Sequence, residues 1–217
     1  MDATFLKVLP LAIGATISPT GLLFVMMILS GKDNPKKKAL AFIIGSILFL
    51  ITLGLFIFFT FKPIIQSTAH PDVTSSIINI VLGLIIILIV IKSVFFKKKD
   101  KPKDDAKKHK KPYLVLGFLY MLINISTLIP FIAAVKIVAA NKLHLMDDFW
   151  MVGAVIIITM LMVAFPVIIT YAMPKESTKI LGPVTAFMSK HGAQIANVYF
   201  MLMAVYLIYA GVAKLFS

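Results

Sequence analysis

The sequence lacks cysteine altogether, and it lacks arginine as well, although it contains 22 lysines. Without cysteine the chain can form neither disulfides nor thiolate metal sites, and thiol redox chemistry is excluded. Its acidic residues number only nine and lie outside the long apolar segments, at Asp2, Asp33, Asp72, Asp100, Asp104, Asp105, Asp147, Asp148 and Glu176. Because intramembrane acids are the usual proton relays and cation ligands, their absence argues against a metal-ion exporter and against the simplest proton-coupled cycle.

The sequence also lacks the familiar motifs of enzymes and nucleic-acid-binding proteins. Its four histidines are scattered without the spacing of metal ligands, at His70, His109, His144 and His191. It contains no glycine-rich phosphate loop, no catalytic triad and no nucleic-acid-binding module. We therefore expect no enzymatic activity, no catalytic residues, no cofactor, no metal site and no nucleic-acid partner.

Long apolar segments make up most of the chain. Hydrophobic residues account for 60% of the sequence and charged residues for 14%, whereas soluble domains are about 45–50% apolar. A spanning helix needs about 20 apolar residues, and six segments meet that length: 5–30, 39–61, 73–96, 113–139, 149–171 and 194–216. The sequence thus predicts an all-α integral membrane protein with six transmembrane helices, called spans 1 to 6 below.

The start of the chain does not resemble a cleavable signal peptide. Asp2 precedes the first apolar run, and that run continues well beyond the length of a signal sequence. We therefore expect span 1 to be the first transmembrane helix. Between spans 5 and 6, an apolar piece at residues 180–188 follows Pro174 and is predicted to lie along the membrane interface.

The lysines are distributed unequally between the two sides of the predicted membrane domain. The connections after spans 1, 3 and 5, with the adjoining span ends, carry 17 lysines, and the opposite side carries 5. The positive-inside rule therefore predicts that the odd-numbered connections are cytoplasmic and that both termini lie outside. Residues 97–112, KKKDKPKDDAKKHKKP, are too charged to enter a membrane, and we predict a disordered basic cytoplasmic linker there.

This linker divides the chain into two halves of three spans each, residues 1–96 and 113–217. An odd number of spans per half gives the halves opposite orientations, so any repeat between them is inverted. Short similarities occur in the same order in both halves, pairing 17–23 with 123–129, 42–46 with 149–154 and 77–81 with 195–199. We therefore predict two inverted three-helix repeats that form a single membrane domain.

Helix-breaking residues stand near the middle of the first span of each half. Span 1 contains Ser18, Pro19, Thr20 and Gly21, and span 4 contains Asn124, Ser126, Thr127 and Pro130. Interrupted helices at matching positions of two repeats are the best sequence indication of a transporter's binding site. We take these eight residues as candidate substrate-binding residues, together with two amides inside apolar spans, Asn79 and Asn197.

A purely structural interpretation of the same residues stays open. A proline can simply kink a helix, serine and threonine can bond back to their own helix, and intramembrane amides often form interhelical hydrogen bonds. The intramembrane glycines are expected at close-packing positions: Gly14, Gly45, Gly54, Gly83, Gly117 and Gly153. Four lysines near span ends are expected to extend their ammonium groups to the interface: Lys7, Lys92, Lys136 and Lys214.

Several short motifs resemble those of a known group of exporters. Residues 15–19 (ATISP) are followed by a basic turn at 34–42 (NPKKKALAF), which leads to Gly45. Residues 117–124 match a Gly-x-x-x-x-Leu-x-Asn pattern, and residues 187–193 resemble a short basic segment before the last helix. These motifs resemble the lysine-exporter (LysE) superfamily, and within it the GAP family, named for glycolipid- or sulfolipid-addressing proteins (Sap). The chain departs from the family pattern at Ile125, where proline is usual.

The resemblance implies a six-helix, LysE-like exporter of lipid-linked or glycolipid cargo in a prokaryotic cell membrane. Amino-acid exporters of the superfamily often carry an acidic residue just after the helix 2 glycine, and Ser46 at that position favours the lipid branch. The leading interpretation is an exporter or flippase for an amphipathic, anionic substrate whose head binds at the broken helices near the bilayer midplane.

Two other functions and one question of assembly remain open from the sequence. The chain could export a small polar solute such as an amino acid, or act as a membrane scaffold without transport. Membrane lipids are the expected partners, and the cytoplasmic lysines either attract anionic headgroups, at about 1 kcal/mol each, or only set the topology. The oligomeric state is open, with a homodimer among the options.

Overall fold

The computed structural model describes residues 2–67, 71–95, 112–140 and 144–215, and every regular element within them is an α-helix. The helices are α1 (Asp2–Thr16), α2 (Pro19–Leu29), α3 (Pro35–Ser67), α4 (Pro71–Phe95), α5 (Tyr113–Ile123), α6 (Ile125–Ala140), α7 (Leu145–Ala172) and α8 (Ser177–Leu215). The predicted all-α class is confirmed for these residues. The predicted basic linker lies outside them, except for Pro112.

Four helices are long and apolar enough to cross a membrane on their own, namely α3, α4, α7 and α8. The pairs α1–α2 and α5–α6 each pass the same test together and are bent by 49° and 75°. Counted as single spans, these pairs bring the described part of the chain to up to six spans. The chain is therefore a multi-pass membrane protein, while its division into two inverted repeats stays a prediction.

The two bends occur where the sequence predicts interrupted helices. Ser18 has φ −130° and ψ 79°, and Pro19 is the first residue of α2. Proline disfavours a helical conformation in the residue before it and is well suited to the first helical position, which explains the first break. The second break is at Asn124, with φ −83° and ψ 71°, whereas Pro130 lies inside α6.

The end of the chain differs from the prediction. Residues 180–188 do not form a separate interfacial piece, because they belong to α8, which continues through Pro183. Proline near the start of a helix removes a single backbone hydrogen bond, so the following turns can hold the helix together. With 39 residues, α8 is about 58 Å long. The hydrocarbon layer is about 30 Å thick, so α8 extends well beyond it.

Helix α6 is the most deeply buried element and has α1, α3 and α7 packed around it. Its small and apolar side chains lie in the main core, including Phe131, Ala134 and Val138. Helices α4 and α8 pack along each other at one side of this core. Their outer faces carry many exposed large apolar side chains, such as Leu88 and Leu202, as expected for surfaces that contact lipid.

Helices α3 and α5 touch through their backbones at two glycines. A Cβ atom on Gly45 would collide with the backbone carbonyl of Leu114, and one on Gly117 would collide with that of Phe42. Ser46 donates its hydroxyl to the carbonyl oxygens of Phe42, at 3.0 Å, and Gly117, at 3.2 Å. Small residues allow such close helix contacts in membranes, so this pair of helices is held at backbone contact.

The same reciprocal arrangement occurs between α4 and α8. A Cβ atom built on Gly83 would lie 3.0 Å from the backbone carbonyl oxygen of Ala204, and one built on Gly211 would lie 2.8 Å from that of Ser76.

The expected close packing fails at Gly153, since nothing lies within 4 Å of a Cβ atom built there. Apolar helices give no sequence signal for which face meets lipid, and Gly153 lies away from any helix contact.

Candidate functional site

The two helix breaks meet through the side chain of Asn124. Its Nδ2 lies 3.0 Å from the hydroxyl oxygen of Ser18, which precedes α2, and 3.0 Å from that of Thr127 in α6. Its Oδ1 accepts a hydrogen bond of 2.7 Å from the Ser126 hydroxyl. Ser18, Asn124 and Thr127 are buried, so a polar group connects the broken helices in the interior of the protein.

Tyr120 forms the second centre of this group, although it is not among the candidate residues of the sequence analysis. Its hydroxyl lies 3.2 Å from the hydroxyls of both Ser18 and Thr20, and 3.0 Å from Asn124 Nδ2. Its ring stacks on Phe24, with 5.7 Å between the ring centroids. The available signal was its spacing, because a residue four positions before Asn124 lies on the same face of α5.

We call the six polar residues at this junction the break cluster: Ser18, Thr20, Tyr120, Asn124, Ser126 and Thr127. Ser18 and Asn124 each precede the first residue of a helix, α2 and α6. The first N–H groups of a helix have no partner within it and carry a partial positive charge. The side-chain contact of 3.0 Å between Ser18 and Asn124 therefore brings two helix N-termini to one place.

Helix α7 closes the cluster from one side. The hydroxyl of Thr16 donates to the carbonyl oxygen of Ile158 at 2.6 Å, and the backbone N–H of Ser18 donates to the sulfur of Met162 at 3.3 Å. A Cβ atom on Gly21 would lie 2.9 Å from each of three side-chain atoms, in Ser18, Tyr120 and Val163. Glycine at position 21 therefore makes room for the convergence of α2, α5 and α7.

The remaining candidate residues are not hydrogen-bonded within the cluster. Pro19 starts α2, and Pro130 lies in α6 on the wall of a small pocket beside Ser126. Asn79 contacts Lys136 in a separate polar group. Asn197 is half-buried on α8 and is not a partner in the hydrogen bonds of the break cluster.

The pocket beside Ser126 opens between α4, α6 and α8. Its other walls are apolar and include Ile86, Ile89, Ile129 and Phe200. Its volume is about 10 Å³, close to the minimum of about 10–15 Å³ that one water requires. The polar side chains of the cluster thus bond to each other in this conformation, and a larger molecule could enter only if the helices moved apart.

Lys136 forms a second buried polar group. The expected extension of its ammonium group to the interface is wrong, because Lys136, near the end of α6, is only 1% exposed. Its Nζ donates to the carbonyl oxygen of Ser75, at 2.7 Å, and to Asn79 Oδ1, at 2.5 Å. Packing of α4 against the central helix α6 encloses this lysine, which hydropathy alone does not reveal.

A partly buried ion pair joins the end of α3 to the start of α7. Lys62 Nζ lies 2.6 Å from Asp148 Oδ2, and the two side chains are 16% and 0% exposed. The Lys62 ammonium group also lies 4.8 Å from the centre of the Phe58 ring. Asp148 Oδ1 has no hydrogen-bond partner within the described part of the chain. The Asp148 carboxylate lies in the first turn of α7, outside the break cluster.

The described residues contain no group of three or more histidine, aspartate or glutamate side chains that could hold a metal ion. The polar groups at the break cluster are hydroxyls and an amide, which donate and accept hydrogen bonds without changing charge near neutral pH. The arrangement can therefore bind a polar or anionic group.

A family model described as Sap, sulfolipid-1-addressing protein (SfLAP), matches residues 8–213. The matched range runs from α1 into α8 and includes both helix breaks. No curated protein and no solved structure matches the chain.

Proposed function

The chain belongs to the Sap, sulfolipid-1-addressing protein, family, and from this membership we propose that it exports or flips an amphipathic, anionic lipid or glycolipid. The polar head of the substrate binds at the break cluster, near the bilayer midplane. Its acyl chains remain in the lipid throughout, which agrees with the small number of charged side chains inside the spans.

One observation carries this proposal, namely the contact between Ser18 and Asn124 across two broken helices. Two helix N-termini at one place offer backbone N–H groups and positive dipole ends to an anionic head. The hydroxyls of Ser18 and Thr20 each lie 3.2 Å from the Tyr120 hydroxyl and, with it, add further donors. Broken helices at mid-depth are also the usual location of substrate sites in transporters built from repeats.

The pocket beside Ser126 supports a route for the acyl chains. It lies between α4, α6 and α8, and its lining apart from Ser126 is apolar. A head held at Ser126 and Asn124 would therefore have an apolar surface beside it that leads toward lipid. Movement of α4 and α8, which pack along each other, away from α6 would widen this path.

The proposal extends to the architecture and the orientation. We propose a LysE-like arrangement of two inverted three-helix repeats in a prokaryotic cell membrane, with both termini outside and residues 97–112 in the cytoplasm. The bent pair at the start of each half supports the repeat, and the ratio of 17 lysines to 5 supports the orientation.

Because the chain has no cysteine, single introduced cysteines test the orientation cleanly. A membrane-impermeant maleimide applied to intact cells should label His144→Cys and leave Asn34→Cys unlabelled, and the reverse pattern would contradict the orientation.

Transport by reconstituted protein tests the proposed function. Proteoliposomes containing a fluorescent phosphatidylglycerol analogue report movement between leaflets, because a reductant added outside bleaches only the outer leaflet. Wild-type protein should accelerate this movement, and Asn124→Leu and Ser18→Leu should each remove most of the acceleration. Thr52→Leu is the matched control, since the Thr52 hydroxyl is exposed and bonds within its own helix to Leu48. Wild-type rates in both cluster variants would refute the site, and uptake of radiolabelled amino acids without lipid movement would favour a small-solute exporter.

A second candidate function is a membrane scaffold that does not transport. The closed packing of the break cluster favours it, because the adjoining pocket of about 10 Å³ holds no more than about one water. Under this hypothesis the hydrogen bonds only hold the broken helices together. The same proteoliposomes separate the two functions, since a scaffold leaves lipid movement at the rate of protein-free vesicles.

A further inference from the structure

A second cavity lies away from the break cluster, between α1, α4, α6 and α8. Its volume is about 200 Å³, well above the about 10–15 Å³ needed for one water. Its polar lining comes from Lys7 on α1, Ser75 and Asn79 on α4 and Tyr206 on α8, and apolar residues of α6 and α8 complete the wall. We call this space the Lys7 cavity.

Each polar side chain around this cavity can donate a hydrogen bond. Lys7 brings an ammonium group and Tyr206 a hydroxyl, and none of the described residues that line the cavity is acidic. An ammonium group has three donors and no acceptor. A cavity with this lining suits a ligand that carries acceptors and negative charge.

Lys136 fixes the orientation of the Asn79 amide at the cavity wall. A lysine can only donate, so the atom of Asn79 that lies 2.5 Å from Lys136 Nζ must be the carbonyl oxygen Oδ1. The amide nitrogen Nδ2 is thereby turned away from the lysine. Asn79 is 9% exposed and lines the cavity, and its Nδ2 makes no hydrogen bond within the described part of the chain. Asn79, which lines the cavity, therefore carries a donor whose position Lys136 fixes.

We infer that the Lys7 cavity is a binding site for a tetrahedral oxyanion, a sulfate or phosphate group, held by Lys7, Asn79 Nδ2 and Tyr206. Donors from three helices, α1, α4 and α8, suit the several acceptor oxygens of such a group. The buried Lys136 ammonium group, bonded to Ser75 and Asn79, adds positive charge behind the wall. This inference is independent of the proposed transport at the break cluster, because it concerns different residues.

The oxyanion can come from a free ion or from a lipid headgroup, and equilibrium binding distinguishes them. The full chain in zwitterionic detergent micelles is dialysed against radiolabelled sulfate at constant ionic strength. In a parallel series, labelled dioleoyl phosphatidate is added to the micelles. Saturable sulfate binding identifies a free-anion site, and saturable phosphatidate binding without sulfate binding identifies a headgroup site.

Variants then assign the binding to the cavity. Lys7→Gln and Asn79→Leu should each weaken binding of the bound probe about tenfold, which is the loss expected for one hydrogen bond to a charged group. Lys7 is exposed, so its substitution tests the site even if changes at Asn79 disturb folding. Lys92→Gln is the matched control, because Lys92 is an exposed lysine at the other end of α4.

Asn124→Leu separates this inference from the proposed function. In this variant, sulfate binding, and the part of phosphatidate binding that Lys7→Gln weakens, should stay at the wild-type level, whatever the transport rate. Wild-type affinity in both Lys7→Gln and Asn79→Leu would overturn the inference. So would the absence of saturable binding of either probe to wild-type protein.

Discussion

Asn124 Nδ2 lies 3.0 Å from Ser18 Oγ, although 106 positions separate the two residues in the chain. Each residue interrupts a helix, and each is buried. The contact therefore connects the two bent helix pairs at their weakest points, where backbone hydrogen bonds are missing. Any movement of one half of the chain relative to the other must keep, exchange or break this bond.

Asn124→Leu should lower the free energy of unfolding by about 1–2 kcal/mol, the upper range for interhelical hydrogen bonds in membranes. It removes the donor that faces the Ser18 and Thr127 hydroxyls and the acceptor of the Ser126 hydroxyl. Unfolding by a denaturing detergent measures the change. Asn197→Leu is the matched control and should leave stability unchanged, because Asn197 takes no part in the cluster. An equal loss in both variants would contradict the role of Asn124.

Tyr120→Phe should slow lipid movement in the proteoliposome assay clearly, while it lowers the free energy of unfolding only slightly. It removes a hydroxyl that lies within 3.2 Å of Ser18, Thr20 and Asn124, while the ring can still stack on Phe24. We expect a loss of about 1 kcal/mol or less in unfolding free energy. Tyr120→Ala should be several times more costly, because the ring packing is also lost. Tyr209→Phe, at a residue 71% exposed, should change neither property.

Gly45→Ala should destabilise the protein by about 1–3 kcal/mol, the usual cost of overpacking. The new methyl group would collide with the backbone carbonyl of Leu114, which cannot move without shifting α5. Gly117→Ala should behave in the same way against Phe42. Gly153→Ala provides the control, since its methyl group meets nothing within 4 Å and alanine favours the helix by about 0.5–1 kcal/mol. Thermal unfolding of the three variants measures the contrast, and similar midpoints would refute the backbone contact.

Breaking the ion pair between Lys62 and Asp148 should cost about 3–5 kcal/mol, because one charge is left buried without its partner. Lys62→Met should show this loss, because Asp148 stays fully buried, whereas Asp148→Leu should cost less, because Lys62 is 16% exposed. The double variant should regain most of the loss of Lys62→Met. Asp147→Asn, at the adjacent half-buried carboxylate, should have little effect. Additive losses in the double variant would mean that the two side chains do not interact.

Much of the fold could be predicted from the sequence, because hydropathy and proline act locally. Runs of apolar residues predict the spans, and the Ser18–Pro19 pair predicts a break through the restriction that proline places on its neighbour. The second break was predicted for the same region as Pro130, but the interruption is at Asn124 and Pro130 lies within α6. A polar residue whose side chain bonds elsewhere can end a helix without proline.

The rest depends on which face of each helix meets protein, and a membrane helix gives little sign of this. Lipid and protein interior are both apolar, so the usual contrast between polar and apolar faces is absent. For that reason the burial of Lys136 and the position of Tyr120 beside Ser18 were not foreseen. Lys136 lies near the end of span 4 in the sequence, which suggests a position at the membrane interface. In the structure, however, α6 lies centrally in the bundle, and the helices packed around it enclose this lysine.

The amide nitrogen of Asn124 has more hydrogen-bond acceptors around it than it has hydrogens to donate. It carries two hydrogens, yet three hydroxyl oxygens lie at 3.0 Å from it, those of Ser18, Tyr120 and Thr127. One of the three is always in surplus, so the amide can exchange one acceptor for another without passing through a state in which a hydrogen is unbonded. An oxygen of an arriving molecule could join this exchange as a fourth competitor. The surplus of acceptors at the junction therefore leaves room for one hydroxyl to be replaced while both amide hydrogens stay bonded.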